Sequence, residues 1–351
     1  MKKRMGIKKS LLALLICMAL LVTACGGGGN GAAAPADGDG GEQTMTLRMT
    51  TDHPIDHMAT RSAQALIEEI EEKTDGRIQI TLYPASQLGS YEMTFDEIVR
   101  GTIDLGHITI PDSLDSRLGA AYTPYLTTGY DEAKVVYAPG SFLSEKFVEY
   151  TEDLGVKFLG FYLEGYIGMG TKVEPRDLLI PGANKGIQTR VWAAPASREP
   201  MQDLGYTPVT VPYAEAPTAI QTGVVDGWIG GTPNVNYVWV GEVIDYFYRT
   251  FMHAESTSYV MNLNLFNSLS AEDQQIFLDA FGRQSMESFE LAEAEDDHWM
   301  ERLENDLGVT VTKLSDEDVQ MLADFVRETT WPKLEEVYTK ELMDGLKAQF
   351  E

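Results

Sequence analysis

The segment from Ser270 to Gly308 constrains the fold more than any other feature of the sequence. Between its ends it contains no proline and one glycine, Gly282, and its apolar residues recur at roughly helical spacing. Ser270 with an acid at Asp273 is close to a capping box, and Gly308 is a typical helix stop. About 37 helical residues span on the order of 55 Å, against roughly 30 Å for a small domain. We therefore expect one helix along two lobes; the alternative is two helices broken near Gly282.

The rest of the body alternates between strand and helix patterns. Strands are predicted at 47–49, 78–82, 103–110, 156–162, 187–192, 209–211 and 224–229, and helices at 59–73, 95–102, 196–204 and 214–222. A further helix is expected from Ser315, and Pro332 starts or kinks the last one. This alternation predicts an α/β fold with a largely parallel sheet. Two such units in succession predict two lobes with a ligand cleft between them.

The first 44 residues are predicted to be a secretory signal peptide followed by a flexible tether. A basic start followed by the apolar run 11–22 is typical of a secretory signal, predicted over 1–24. Val22-Thr23-Ala24-Cys25 resembles the bacterial lipoprotein box, so we expect lipidation of Cys25 and a flexible tether over 25–44. The alternative is ordinary cleavage near Ala24. No later apolar run reaches the roughly 18 residues of a spanning helix.

Composition and missing motifs exclude several classes of protein. The chain carries 54 acidic and 27 basic residues, a net charge of −27, which argues against a nucleic-acid binder. Both cysteines lie at or before Cys25, so no disulfide or cysteine-rich metal site is expected in the folded part. No phosphate loop, nucleophile elbow or dinucleotide fingerprint is present. His53 and His57 are four residues apart, but Pro54 lies between them, and we expect no metal site and no cofactor.

Five short segments carry a family resemblance. They are Lys73–Ile78, Val99–Leu105, Gly186–Val191, Val211–Glu215 and Gln221–Gly227. In order and spacing they resemble the solute-binding (DctP-type) subunit of TRAP transporters, the tripartite ATP-independent periplasmic systems. The resemblance extends from about residue 46 to about residue 340, and the first and last segments are its most specific parts.

The resemblance implies a two-lobed, periplasmic-binding-protein-like α/β fold with the long helix spanning both lobes. We expect lobe I over 45–167 plus about 256–295, and lobe II over 168–255 plus about 296–351. Such a protein would capture a small organic acid in the cleft and deliver it to a membrane permease, outside the cytoplasm and held by its lipid. The alternatives are an ABC-type binding lipoprotein, or a secreted lipoprotein enzyme or adhesion module.

Arg190 is the principal candidate for ligand binding. A guanidinium is a rigid fork that meets a carboxylate through two parallel hydrogen bonds, and a sulfonate suits it equally. In the family the resembling arginine grips the ligand carboxylate, and Tyr213 matches an aromatic position that lines the cleft. The alternatives are an exposed arginine at a strand end and a core tyrosine.

Other candidates depend on position or depart from the family pattern. His53 is expected where the first strand reaches the cleft, and Glu92 follows a nearby turn. Asn234 stands four residues beyond the place where many relatives carry a ligand-contacting asparagine. Trp192 and Trp228 would add flat apolar walls or simply pack in the core.

Four residues are interpreted as structural parts of the motif: Gln221, Gly223, Asp226 and Gly227. Asp226 is expected to end a strand, and Gln221 to satisfy nearby backbone groups. Many relatives carry a second arginine shortly before the Arg190 strand, whereas this chain has none there. We therefore predict a small monoanion with an apolar portion rather than a sialic-acid-like ligand.

Overall fold

Two strands much longer than the others, β4 and β8, run side by side through the middle of the sheet. The computed structural model describes residues 44–349, which contain nine strands: β1 Met45–Thr51, β2 Ile78–Tyr83, β3 Leu105–Ile108, β4 Val156–Thr171, β5 Gln188–Val191, β6 Thr207–Thr210, β7 Gly227–Gly231, β8 Tyr246–Asn262 and β9 Thr310–Lys313. The strand order is β2-β1-β3-β8-β4-β7-β5-β6, with β9 paired to β8. One half of the sheet is thus built on the second half of β8, and the other on the second half of β4.

Helices cover both halves of this sheet. Within the described range they are α1 Met58–Lys73, α2 Tyr91–Arg100, α3 Tyr130–Val136, α4 Phe142–Asp153, α5 Pro195–Asp203, α6 Ala216–Thr222, α7 Pro233–Val235, α8 Leu263–Ser268, α9 Ala271–Leu307, α10 Asp316–Thr329, α11 Trp331–Tyr338 and α12 Lys340–Lys347. Strands β1, β2 and β3 pair in parallel, as do β5, β6 and β7. The carboxyl ends of each parallel set therefore lie at one edge, where ligands of α/β proteins bind.

The long helix is continuous, so the single-helix prediction is confirmed and the alternative break at Gly282 is wrong. Helix α9 has 37 residues; the Ser270 side chain accepts a hydrogen bond from the Asp273 backbone N–H, and Gly308 adopts a left-handed conformation at φ 69°. Phe277, in the first half of the helix, packs in the core that contains β1 and β2. Leu303, near the end of the helix, packs in the core beneath β7. One helix therefore contacts both halves of the sheet.

Four local predictions are corrected. The sheet is mixed, because β4 and β8 are antiparallel to each other and β8 was not predicted. The strand expected over 156–162 continues to Thr171, since its glycines interrupt the apolar pattern without interrupting the ladder. The strand expected over 224–229 is β7 Gly227–Gly231, so Asp226 precedes a strand instead of ending one. Pro332 begins helix α11, but α12 follows it.

The predicted lobe boundaries at 167/168 and 255/256 fall inside β4 and β8, where each strand exchanges neighbours. The placement of these lobe boundaries stays a prediction. The predicted signal, the tether and Cys25 lie outside the described residues. Among residues 44–349, no helix has the length and apolar character needed to cross a membrane.

Candidate functional site

A cleft with a volume of about 1060 Å³ opens where the carboxyl ends of the two parallel strand sets face each other. Six of the predicted ligand-binding residues line it: His53, Glu92, Arg190, Trp192, Tyr213 and Asn234. Trp228 does not line the cleft; it is fully buried behind Arg190. The cleft is large enough for a small organic ligand, since pockets that bind such ligands typically measure roughly 300–1,000 Å³.

Arg190 is held at the end of β5 by backbone carbonyl groups. Its Nε donates to the Val211 carbonyl at 2.9 Å and its Nη1 to the Ile229 carbonyl at 3.3 Å, and the residue is 3% exposed. Burial lowers the pKa of its guanidinium from the usual 12.5. Among the described residues, no carboxylate forms an ion pair with Arg190, although it lines the cleft. The backbone thus fixes the orientation of the guanidinium and leaves its charge for a ligand.

Aromatic rings surround this guanidinium. The Arg190 Cζ atom lies 5.7 Å from the Tyr213 ring centre and 6.0 Å from that of Trp228. Tyr213 in turn packs edge-on against Trp239, which also lines the cleft, with ring centres 4.1 Å apart. Trp192 and Tyr122 also line the cleft and pack edge-on against each other, with ring centres 6.0 Å apart. Flat apolar faces therefore bound the space in front of Arg190, and Tyr122 and Trp239 were not predicted.

The opposite wall combines histidines with a buried glutamate, Glu164. Its Oε1 lies 2.6 Å from His53 Nε2 and accepts a hydrogen bond from the Thr257 hydroxyl at 2.6 Å, while its Oε2 lies 3.8 Å from His57 Nε2. Burial raises the pKa of Glu164 well above its usual value, and the Glu255 charge raises it further. Burial lowers the pKa of His53 to about 4 and that of His57 well below 6.5. These histidines are therefore neutral at neutral pH.

A second glutamate, Glu255, stands beside Glu164 on the neighbouring strand. The β4–β8 ladder pairs Gly165 with Glu255, and an irregularity between Leu163 and Gly165 turns Glu164 towards the cleft as well. Glu255 Oε1 accepts a hydrogen bond from the Tyr122 hydroxyl at 3.0 Å, and burial raises the pKa of Glu255 to about 7. Sequence reasoning missed both glutamates because the irregularity depends on β8, which carries no motif.

His53, His57 and Glu164 form the one metal-like cluster among the described residues, with ligand atoms within 4.8 Å of one another. The hydrogen bonding of His57 fits a metal poorly. Its Nδ1 accepts a hydrogen bond from the Ala59 backbone N–H at 3.2 Å, so the neutral ring carries its proton on Nε2, the nitrogen that faces Glu164. A metal-binding histidine normally donates from its second nitrogen instead.

The remaining motif residues lie away from the cleft. Asp226 Oδ2 accepts a hydrogen bond from the Gln188 backbone N–H at 2.8 Å, which ties the start of β5 to the loop before β7. Gly223 ends α6 in a left-handed conformation, and Gly227 fits against the β4 backbone, where a Cβ atom would collide with Gly170. Gln221 is exposed on α6, outside the cleft.

Comparison with known proteins points to one family. The model of the family described as bacterial extracellular solute-binding protein, family 7 (DctP), matches residues 49–339. The ectoine/5-hydroxyectoine-binding periplasmic protein UehA of Ruegeria pomeroyi is 28% identical over 223 residues, 62% of this chain; the match spans 64% of UehA, just under two thirds. The ectoine-binding periplasmic protein TeaA of Halomonas elongata is 26% identical over 310 residues, covering 82% of this chain and 84% of TeaA.

Solved structures share the fold. A TRAP periplasmic solute-binding protein from Desulfovibrio salexigens, solved with bound orotic acid, superimposes with a TM-score of 0.77 at 18% identity, over 87% of this chain and 97% of that one. At this identity the likeness establishes the fold alone. Together with the mixed sheet of this chain, it confirms the predicted two-lobed α/β architecture.

Proposed function

The chain belongs to the DctP family of bacterial extracellular solute-binding proteins, family 7, and we propose that it captures a small organic acid in the cleft and delivers it to the membrane subunits of a TRAP transporter. The acid is bound and released without chemical change.

We further propose that a lipid on Cys25 holds the protein at the outer face of the cytoplasmic membrane. Replacement of Cys25 by Ser tests this anchor, because the protein would then be recovered in the soluble extracytoplasmic fraction.

The observation that carries the proposal is the buried, unmatched charge of Arg190. A guanidinium that is 3% exposed and hydrogen-bonded to neutral carbonyls has lost most of its hydration without forming an ion pair with a carboxylate. Burial of such a charge is costly unless it is paired. A ligand carboxylate that forms two parallel hydrogen bonds with the free edge of the fork supplies the missing partner. The relatives UehA and TeaA are named for ectoine, and the Desulfovibrio structure holds orotic acid, so carboxylate ligands are the reasonable class to test first.

A thermal-shift screen of small carboxylic and sulfonic acids tests the proposal. A ligand at 100 times its Kd adds about 2.7 kcal/mol to the free energy of unfolding, a readable shift. The screen compares the unaltered protein with Arg190→Ala and with a matched control, Arg198→Ala, which removes an exposed arginine from α5. We expect the shift to disappear in Arg190→Ala and to persist in Arg198→Ala. A ligand that binds both variants equally would show that Arg190 is not the anion site.

A further inference from the structure

The charged groups that line the cleft are unevenly divided. Five cleft residues carry carboxyl groups, and among the described lining residues Arg190 is the one with a permanent positive charge. The carboxyl groups belong to Asp52, Glu92, Asp112, Glu164 and Glu255. A ligand that is only an anion would satisfy Arg190 and add a further negative charge to this space. All the charged groups that line the cleft therefore restrict the chemistry of the ligand more than Arg190 does alone.

Glu164 and Glu255 are the most informative of the five, because they stand side by side on β4 and β8. Glu164 is 2% exposed, and its hydrogen-bond donor is the Thr257 hydroxyl; the donor to Glu255 is the Tyr122 hydroxyl. No lysine or arginine of the described residues forms an ion pair with either glutamate. Buried carboxylates are usually paired with a cation or coordinate a metal. Buried Glu164 has histidines as its basic neighbours, half-buried Glu255 has no ion pair among the described residues, and both face the cleft.

The positive and negative poles of the cleft lie within electrostatic reach of one group, the Tyr213 hydroxyl. Burial raises the pKa of Tyr213 well above 10, the charges of Glu255 and Glu164 raise it further, and the Arg190 charge lowers it. A small molecule beside Tyr213 would therefore experience both poles. The Tyr122 hydroxyl donates to Glu255 and the Tyr122 ring packs against Trp192, and aromatic faces attract cationic nitrogen.

A metal ion is the other cation that carboxylates attract, and the histidine geometry argues against it. The Ala59 N–H occupies Nδ1 of His57, which leaves the proton on the nitrogen that a metal would need. An organic cation needs only the carboxylate oxygens, which carry the opposite charge and accept hydrogen bonds.

We propose that the ligand is a small zwitterion, whose carboxylate binds Arg190 and whose cationic nitrogen binds between Glu164 and Glu255. This inference rests on the proposed function, since it assumes that the cleft binds an organic acid. The zwitterion differs from the monoanion that the sequence predicts, because only the β4–β8 pairing brings the two glutamates together.

Matched pairs of carboxylic acids that differ in one cationic nitrogen test the proposal by calorimetry on the purified protein. Suitable pairs are glycine betaine with its all-carbon isostere tert-butylacetate, proline with cyclopentanecarboxylate, and phenylalanine with hydrocinnamate. We expect the zwitterion of the best-binding pair to bind at least about 30-fold more tightly than its partner, as for other buried charge pairs. Tighter binding of the plain acids would overturn the zwitterion and leave the proposed function intact. If no acid of the thermal-shift screen binds, inside or outside these pairs, the proposed function itself is overturned.

Two isosteric variants locate the nitrogen. Glu255→Gln and Glu164→Gln keep the shape of each side chain, so the cleft is preserved; the matched control is Glu68→Gln, an exposed residue of α1. We expect both cleft variants to lose affinity for the zwitterion and to gain or keep affinity for the plain acid, whereas Glu68→Gln changes neither. Equal losses for both members of a pair would mean that the glutamates only support the structure, and would overturn the proposed placement.

Discussion

The two walls of the cleft hold their charges in different ways. Arg190 contacts groups that cannot titrate near neutral pH, two backbone carbonyls and the rings of Tyr213 and Trp228, and the Glu92 charge favours its charged form. Glu164 and Glu255 are surrounded by each other, by hydroxyl groups and by histidines. The first wall therefore carries a fixed charge, and the charge of the second depends on its surroundings.

This difference shows how one cleft can select a ligand with two poles. A fixed guanidinium binds an anion at any physiological pH, because arginine does not lose its proton there. Burial raises the pKa of Glu164 and Glu255, so each carboxyl loses its proton more readily beside a cation than in the empty cleft. This difference reduces the repulsion between two adjacent carboxylates on β4 and β8 when no cation is bound.

Removal of the fixed charge should have the largest effect. Arg190→Ala leaves the ligand carboxylate buried without a partner, so we expect a loss of about 2–5 kcal/mol in binding free energy. Arg190→Lys keeps the charge but loses the planar fork and the bond to the Val211 carbonyl, and it should restore part of that loss. Calorimetry with the best ligand of the screen measures both. Full affinity in Arg190→Ala would place the anion elsewhere.

The next effect concerns two glycines that lie against the two walls. A Cβ atom at Gly230 would stand 2.6 Å from Arg190 Nη1, and one at Gly165 would collide with the Asp296 carboxyl group. Both residues have positive φ, 158° and 132°. Gly230→Ala should therefore weaken ligand binding by about 1–3 kcal/mol by displacing the guanidinium.

Gly165→Ala is the matched variant for the other wall, and it should act first on folding. The Asp296 carboxyl accepts hydrogen bonds from Tyr130 and the Tyr166 backbone N–H and so joins α9 to β4. We expect a decrease of about 1–3 kcal/mol in the free energy of unfolding, measured by urea titration. If both variants lost stability and neither lost affinity, the comparison between the walls would fail.

The titratable wall predicts a pH profile with opposite signs for the two kinds of ligand. The pKa of Glu255 is raised to about 7, so below that pH a proton must leave before the carboxylate can face a cation. Affinity for a zwitterion should rise with pH up to about 7, by at most about tenfold per unit for one proton, and then level off. Affinity for the plain acid should fall over the same range, because ionised Glu255 repels it.

Five groups accompany Glu255 in this profile. Tyr122 donates a hydrogen bond to it, the charge of Glu255 raises the pKa of Glu164, Tyr137 and Tyr213, and burial raises the pKa of Asp52 to about 6. Glu255→Gln should remove the change in ligand affinity near pH 7 and leave the change near pH 6 that is due to Asp52. Folding stability follows the sign of a raised carboxyl pKa, so this contribution is complete at acid pH and is lost as pH rises through 7. A profile unchanged by Glu255→Gln would assign the proton to another group.

Sequence reasoning reached the features that are encoded locally. Helix α9 was predictable because a serine cap, an absent proline and a terminal glycine act within a few residues. Arg190 and Tyr213 were named as candidates because they stand in ordered motifs. Strand β8 was missed because both of its faces are largely buried, so it lacks the alternation that marks a half-exposed strand. Glu164 and Glu255 acquire their role through the β4–β8 pairing, which brings residues 91 positions apart to one spot and cannot be inferred from either segment alone.

The smallest effect is expected from metal removal, which tests whether the cleft wall that contains His53 and Glu164 binds a metal ion. His53, His57 and Glu164 could be taken for metal ligands by their spacing alone. The Ala59 N–H bond to His57 Nδ1 fixes the wrong tautomer for that role, so we expect chelator-treated protein to keep its melting temperature and ligand affinity. Added zinc should raise the melting temperature no more in the unaltered protein than in His57→Gln. A zinc-dependent gain that His57→Gln abolishes would contradict the proposed zwitterion, because a bound metal would then supply the positive charge that we assign to the ligand nitrogen.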